Sequence, residues 1–181
     1  SYTDPAYNPF SLMNMERAVE RVLRAVRSSE RVIIFSDYDA DGVPAAAMLA
    51  EFFTAIGFTN FEVYIPDRHL EPYGLSLAAI RQFAENGARL VITIDCGISN
   101  VAEVVLANKL GLDVIVTDHH VPPAELPPAY ALLNPKLPGD TYPDKMLCGS
   151  GVVFKLIQAL IQRGTFSLPA GWEKWLLDLV A

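Results

Sequence analysis

The sequence predicts an α/β domain built on a doubly wound, mainly parallel five-stranded sheet with helices on both faces. Short β-branched runs alternate with segments of helical periodicity, which is the pattern of repeated βαβ units. Several of these runs are apolar throughout rather than at every second position, as expected of strands buried on both faces. At 181 residues, 51% of them hydrophobic, the chain is long enough for one domain with a substantial core.

The elements can be assigned in order along the chain. In the N-terminal segment 1–30, Met15, Val19 and Val22 recur at helical intervals between charges, so we expect an amphipathic helix over 13–27 that packs on the domain. A dense series of prolines predicts a non-helical surface excursion over 121–143. Strands are predicted over 32–35, 61–65, 90–94, 114–117 and 130–133, and further helices over 44–56, 77–85, 101–110, 152–162 and 172–180.

Charge and cysteine content limit the function classes. A formal net charge of −7 argues against a basic nucleic-acid module taken whole. A site rich in metal-binding carboxylates is nevertheless acidic until its cations are counted. The two cysteines form no disulfide framework, and no signal peptide or membrane span is apparent. We therefore expect a cytoplasmic protein, and a first residue of Ser1 suggests a fragment of a longer chain.

Acidic residues and histidines follow three of the predicted strands. The first strand leads into Asp37, Asp39 and Asp41, and the third is followed by Asp95. The fourth ends in the run Asp118–His120. Since ligands in open α/β sheets bind at the carboxyl ends of the strands, these side chains are expected to meet at one edge.

This set of residues favours a metal site. A single Asp after a strand is most often a turn former or a helix N-cap. Five carboxylates at one sheet edge, however, repel one another and lose hydration, which costs several kcal/mol for each unpaired ion. The motifs contain no Arg or Lys, whereas oxygen and imidazole donors together suit manganese. Two ions are expected because a single ion would not use all of these ligands. Magnesium is an alternative to manganese.

The adjacent His119 and His120 are expected to point in different directions unless a tight turn holds them. One would then bind a metal ion while the other faces the substrate.

The three motifs resemble the first three signature motifs of the DHH phosphoesterase superfamily. The wider sequence resembles RecJ-like bacterial exonucleases specific for single-stranded DNA, from about residue 8 to the end of the chain. The stretches that carry this likeness are 8–10, 15–21, 65–68, 73–75, 134–136 and 149–152.

The resemblance implies a two-manganese phosphodiesterase that degrades single-stranded DNA from the 5′ end to 5′-mononucleotides, in repair and recombination. It makes His120 the group nearest the scissile phosphate and gives DNA-binding roles to Arg68 and Lys136. The implied metal ligands are Asp39, Asp41, Asp95 and His119, with Asp37 and Asp118 orienting or supplementing them.

Two departures from the family pattern stand out. Pro72 replaces the usual glycine before the triplet 73–75, which would stiffen that loop. The stretch 175–181 resembles the helix that leads into the fourth family motif, whose metal-binding aspartate we expect to lie beyond the chain. The chain 1–181 is thus interpreted as a truncated catalytic domain with weak metal occupancy, and the C-terminal domains of the same protein are expected as its partners.

Other readings remain open. A different phosphoesterase of the superfamily would act on oligoribonucleotides, cyclic dinucleotides or nucleoside bisphosphates with the same metal site. An inert domain would serve only as a binding module. A magnesium site of the phosphatase or receiver type is disfavoured by the histidines. Expected partners are single-stranded DNA and a single-strand-binding protein or helicase, with no membrane and a monomeric state.

Overall fold

A computed structural model of the chain describes residues 7–180. Residues 1–6 of the predicted N-terminal segment and Ala181 lie outside the described residues. The strands form one sheet in the order β2-β1-β3-β4-β5, and every neighbouring pair is parallel. The predicted five-stranded parallel sheet is confirmed. Its strands are Arg31–Ser36 (β1), Phe61–Tyr64 (β2), Ala88–Ile94 (β3), Asp113–Thr117 (β4) and Ala131–Leu133 (β5).

Helices cover both faces of the sheet. Alternate strand residues supply two separate cores, with Ile34 in one and Ile33 in the other. The first core takes in the first, second and fifth helices, and the second core takes in the remaining two. The doubly wound α/β prediction is therefore confirmed. The helices are Met15–Arg27 (α1), Gly42–Ala55 (α2), Leu77–Glu85 (α3), Val101–Lys109 (α4) and Gly149–Arg163 (α5).

Helix α1 is tied to the amino edge of the sheet through a buried arginine. The Arg21 side chain is only 3% exposed, and its Nε donates to Asp113 Oδ2 at 2.5 Å. Its Nη2 donates to Glu30 Oε2 at 2.7 Å and to the Arg89 carbonyl at 3.1 Å. These partners stand at or before the first residues of β4, β1 and β3. The apolar face of α1 is buried as well and forms part of the first core.

Helix α5 begins at Gly149, three residues before its predicted start. Glycines weaken the sequence signal for the start of a helix, because glycine disfavours the helical interior. The Asp41 carboxylate, however, accepts hydrogen bonds from the amides of Gly149 at 2.6 Å and Ser150 at 2.7 Å. It therefore satisfies two of the N–H groups that a helix leaves unpaired in its first turn. Only the folded structure supplies this partner, since Asp41 is distant in sequence.

The predicted last helix is a 3₁₀ helix over Trp172–Leu179 rather than an α-helix. Its turns are closed by i→i−3 hydrogen bonds, such as that from the Lys174 amide to the Gly171 carbonyl at 3.0 Å. Leu176 is its one buried residue. With a single buried anchor, this segment lacks the continuous apolar stripe that stabilises an amphipathic α-helix.

The proline-rich stretch 121–143 is non-helical, as predicted, and contributes only the short strand β5 to the sheet. Across residues 7–180, none of the helices combines the length and the apolar character that crossing a membrane requires.

The strand order places a binding crevice at the centre of the sheet. The chain runs from β1 outward to β2 on one side, and returns to β3 and then β4 on the other. In doubly wound sheets of this order, ligands bind outside the carboxyl ends of the strands, where the direction of winding changes. That position lies between β1 and β3.

Candidate metal centre

The loop after β1 presents the first carboxylates. Asp37 is 6% exposed, and its Oδ1 accepts a hydrogen bond from the Tyr38 amide at 2.7 Å. Asp39 Oδ1 accepts hydrogen bonds from the amides of Asp41 and Gly42, both at 2.9 Å. A Cβ on Gly42 would lie 2.6 Å from the Asp37 carbonyl oxygen, so the tight turn requires glycine here. The turn brings two acidic side chains to one side of the carboxyl edge.

Asp95 follows β3 in a strained backbone conformation. Its φ is 57°, in the left-handed region that residues other than glycine rarely adopt. Its amide donates to the Thr117 carbonyl at 2.8 Å, which continues the pairing of β3 with β4. The Thr93 hydroxyl donates to the Cys96 carbonyl at 2.8 Å and closes the turn beyond Asp95. Strain held in place by its surroundings is a feature of functional sites.

The Asp95 carboxylate is buried among like charges. The residue is 1% exposed, and within residues 7–180 no donor forms a hydrogen bond to its Oδ1. His119 Nε2 lies 3.1 Å from this oxygen without hydrogen-bond geometry. Burial, followed by the charges of Asp41 and Asp39, raises the pKa of Asp95 to about 8. An acceptor oxygen buried without a donor fits a site in which a cation is the missing partner.

The histidine pair is held by Asp118. This carboxylate is 1% exposed, and its Oδ1 accepts hydrogen bonds from the amides of His119 at 2.7 Å and His120 at 3.0 Å. The same oxygen lies 2.7 Å from His120 Nδ1, and Oδ2 accepts from the Ile98 amide at 3.0 Å. These bonds form the tight turn that lets adjacent histidines lie side by side, with ring centroids 4.8 Å apart.

The electrostatic setting suits ligation. Burial, and then the neighbouring His120, lowers the pKa of His119, which favours the neutral imidazole that metals bind. Burial raises the pKa of Asp37. For Asp39 burial acts in the same direction, but hydrogen bonds from the amides of Gly42 and Asp41 outweigh it and lower the pKa. Asp39 is thus ionised, whereas Asp95 needs a cation to ionise at neutral pH.

Two groups of candidate ligands share Asp95. One of its carboxylate oxygens lies within 4.8 Å of oxygens from Asp37 and Asp39, and one within 4.8 Å of ring nitrogens from His119 and His120. Mixed oxygen and nitrogen donors suit manganese or a similar divalent ion. Asp95 belongs to both groups.

Asp41 lies apart from these two groups. Both of its oxygens accept amide hydrogen bonds from the start of α5, and Oδ2 is 3.7 Å from His119 Nε2. It is thus adjacent to the site while also capping a helix. A carboxylate oxygen has two lone pairs, so capping leaves room for ligation as well.

The two predicted DNA-binding cations lie beside the cluster. The Arg68 guanidinium sits 5.2 Å from the centre of the Tyr38 ring, next to Asp37 and Asp39 in the chain, and Arg68 itself is exposed. The charge of Lys136 acts to lower the pKa of His119, so this lysine is within electrostatic range of the histidine pair. The DNA-binding roles of Arg68 and Lys136 stay predictions.

Three further residues shape the cluster in ways that the sequence did not predict. Gly149 is needed because a Cβ there would lie 2.5 Å from Asp95 Oδ1. Asn134 is fully buried, and its amide nitrogen donates to the His120 carbonyl at 2.9 Å. The Tyr73 hydroxyl donates to the Asp95 carbonyl at 3.3 Å. Two features of the sequence could have drawn attention to these residues. Asn134 is a polar residue directly after β5, and Gly149 is one of two glycines at the start of a helix.

Comparisons with known proteins agree with this geometry. A sequence model described as DHH family, N-terminal domain, matches residues 31–181. The single-stranded-DNA-specific exonuclease RecJ of Bacillus subtilis (strain 168) is 44% identical over 155 residues, which cover 86% of this chain and 20% of the relative. The chain thus spans only a small part of that relative's length.

Two solved structures share the fold. The crystal structure of exonuclease RecJ bound to manganese matches with a TM-score of 0.79 and 31% identity, over 93% of this chain and 47% of the other. RecJ from Thermus thermophilus in complex with Mn²⁺ matches with a TM-score of 0.77 and 29% identity. This match covers 97% of our chain and 28% of the other. The predicted resemblance to the DHH superfamily and to RecJ is confirmed. The chain therefore belongs to the DHH family, of which it carries the N-terminal domain.

Proposed function

We propose that this chain is the catalytic domain of a metal-dependent phosphodiesterase that hydrolyses single-stranded DNA from its 5′ end to 5′-mononucleotides. The observation that carries the proposal is the buried Asp95 Oδ1, which has no hydrogen-bond donor among the described residues and lies between two groups of candidate ligands. The similarity to RecJ exonucleases supports the choice of substrate.

The proposed metal ligands are Asp39, Asp95 and His119, with Asp41 and Asp37 completing or supporting the set. When bound, two divalent cations, manganese in preference to magnesium, would supply the activation of water and the neutralisation of charge on phosphate oxygens.

The remaining site residues bind and orient the substrate. Asp118 holds His120 Nδ1 at 2.7 Å, which leaves Nε2 as the ring nitrogen available to a phosphate. Arg68 offers a planar fork of donors to the DNA backbone, and Lys136 offers a point charge. These cations lie beside an acidic cluster, so the DNA backbone would be drawn to the site although the whole chain carries a charge of −7.

The test is digestion of single-stranded DNA labelled at either end, with this chain and a C-terminally extended form. We expect manganese-dependent release of labelled mononucleotide from the 5′ end first, and little digestion of duplex. Asp95→Ala should lose more than tenfold in rate, a barrier change of over about 1.4 kcal/mol, whereas the exposed Asp178→Ala should not. Cleavage confined to dinucleotides or RNA would overturn the choice of substrate. Cytoplasmic location, monomeric state and protein partners stay predictions.

A further inference from the structure

We infer that Asn134 is a positioning residue for the proposed reaction, and that it sets the histidine pair and Lys136 in one fixed arrangement. This inference rests on the proposed function and adds to it a residue outside the acidic motifs. Asn134 directly follows β5 and is 0% exposed.

Asn134 completes the fixation of the His120 backbone. Asp118 accepts the amide hydrogen of His120 at 3.0 Å, and Asn134 Nδ2 donates to the His120 carbonyl at 2.9 Å. The two side chains thus hold opposite ends of the same residue. Asp118 is itself placed by β5, since its amide donates to the Leu133 carbonyl at 3.0 Å. Without Asn134 the peptide after His120 would be free to rotate, and the imidazole would lose its fixed position.

The oxygen of the Asn134 carboxamide binds the backbone of Lys136, the predicted DNA-binding cation. Oδ1 accepts a hydrogen bond from the Lys136 amide at 2.8 Å, so the side chain forms a turn across Pro135. Proline offers no amide hydrogen of its own, so the Lys136 amide is the first after Asn134 that can donate. The Leu137 amide adds a second bond, to the Asn134 carbonyl at 3.2 Å. The Lys136 charge acts on His119 across the site. One buried side chain therefore links the histidine motif to Lys136.

Only a neutral group that both donates and accepts fits this position. Aspartate would keep the acceptor for Lys136 but, when ionised, would set a negative oxygen against the His120 carbonyl. Alanine would remove both bonds, to the partly buried His120 carbonyl and Lys136 amide. The two substitutions therefore separate the donor function from the acceptor function.

The first readout is the imidazole ¹⁵N spectrum of the chain, which contains 3 histidines. In the parent, His120 should show a single tautomer with the proton on Nδ1, as its contact with Asp118 requires. In Asn134→Ala and Asn134→Asp we expect the His120 signals to shift and broaden, with the exposed His69, which lies outside the histidine motif, as internal standard. Calorimetry with Mn²⁺ alone should show a dissociation constant raised by about 10-fold or more, because His119, a proposed ligand, shares the turn that Asp118 and Asn134 hold. Effects of this size follow when groups that orient a ligand are removed.

Two control variants separate positioning from general loss of stability. Asn108→Ala removes the same kind of bond, an amide donating to the Pro128 carbonyl at 2.8 Å, at the amino edge of the sheet. Leu160→Ala opens a cavity in the buried core of α5. Both controls should keep the parent His120 spectrum and Mn²⁺ affinity, even where Leu160→Ala melts earlier.

An Asn134 variant that merely melts earlier, with the parent spectrum and Mn²⁺ affinity, would overturn the inference. If Asn134→Ala does not fold, Asn134→Asp decides, because it keeps the size and one of the two bonds. These readouts do not depend on cleavage. A C-terminally extended parent that binds Mn²⁺ but leaves DNA intact would refute the proposed substrate, while the histidine spectra would still decide the role of Asn134.

Discussion

Replacing Asp95 by asparagine should stabilise the metal-free chain. The substitution keeps the size of the side chain but removes a buried group whose ionisation is opposed by burial and by neighbouring carboxylates. Asparagine also tolerates the left-handed conformation, in which Asp95 has a φ of 57°. The new amide hydrogens could donate to the surrounding carboxylates, which the aspartate cannot do when ionised.

The size of the effect follows from the pKa of Asp95, about 8 instead of 3.8. Each pKa unit corresponds to about 1.4 kcal/mol, so holding this carboxyl protonated at pH 7 sets an upper limit of roughly 4 kcal/mol on the gain. The asparagine amide must itself be accommodated, so we expect the free energy of unfolding to rise by about 1–3 kcal/mol. For a domain of this size the melting temperature should increase by about 3–10 °C.

The dependence on pH has a defined sign. A raised pKa in the folded state contributes stability that is present below the ordinary value of 3.8 and is lost as the pH rises towards about 8. The advantage of Asp95→Asn over the parent should therefore grow between pH 5 and pH 8. Groups away from the cluster titrate equally in both proteins, so the difference between them reports Asp95 together with the carboxylates coupled to it.

The assay is thermal unfolding of parent and variant with EDTA or with Mn²⁺. We expect Mn²⁺ to stabilise the parent and to have little effect on Asp95→Asn, whereas the exposed Asp178→Asn should match the parent in both conditions. A metal-free variant less stable than the parent, or one that Mn²⁺ stabilises as strongly, would refute the assignment of Asp95 as a ligand held under electrostatic strain.

Three further predictions concern Gly149, Arg68 and Arg21. Gly149→Ala should abolish Mn²⁺ binding measured by calorimetry, because its Cβ would lie 2.5 Å from Asp95 Oδ1; unchanged affinity would mean that α5 shifts to accommodate the methyl group. Arg68→Ala should raise KM for single-stranded DNA, equivalent to roughly 1–3 kcal/mol of binding, and flatten its salt dependence by about one phosphate contact. The exposed Arg81→Ala is its control, and a loss of kcat at saturating DNA with KM unchanged would instead place Arg68 in the transition state. Arg21→Met should lower the free energy of unfolding by about 2–4 kcal/mol, because it removes a buried partner from two carboxylates. Mn²⁺ affinity in the folded Arg21→Met chain should match the parent, and a large loss would show that the two edges of the sheet are coupled.

Most of the fold could be predicted from local patterns in the sequence. The strands β1, β3 and β4 were recognisable because both of their faces are buried, so their central residues are almost all apolar. The start of α5 was missed because its capping group, Asp41, comes from the loop after β1. The 3₁₀ helix Trp172–Leu179 was taken for an α-helix because its apolar residues fit both periods, and only burial shows that Leu176 alone anchors it.

The acidic and histidine motifs could be identified as a site because each follows a strand, and parallel strands end at one edge. Their individual roles depend on contacts that sequence does not contain. Asp118 proved to hold both histidine amides. Asn134 gave no signal beyond the family resemblance, because its importance lies in the carbonyl that it reaches rather than in its own residue type.

The location of the Arg21 ion pairs affects how the sequence of such a domain can diverge. The ion pairs that fasten α1 stand at the amino edge, whereas the acidic cluster stands at the carboxyl edge, about 20 Å away along strands of six residues. Substitutions in the loops around the cluster therefore leave the fastening of α1 untouched. Lineages can exchange substrate-binding residues there, one loop at a time, without first acquiring compensating mutations elsewhere. The same scaffold is thus open to new substrates while its fold is retained.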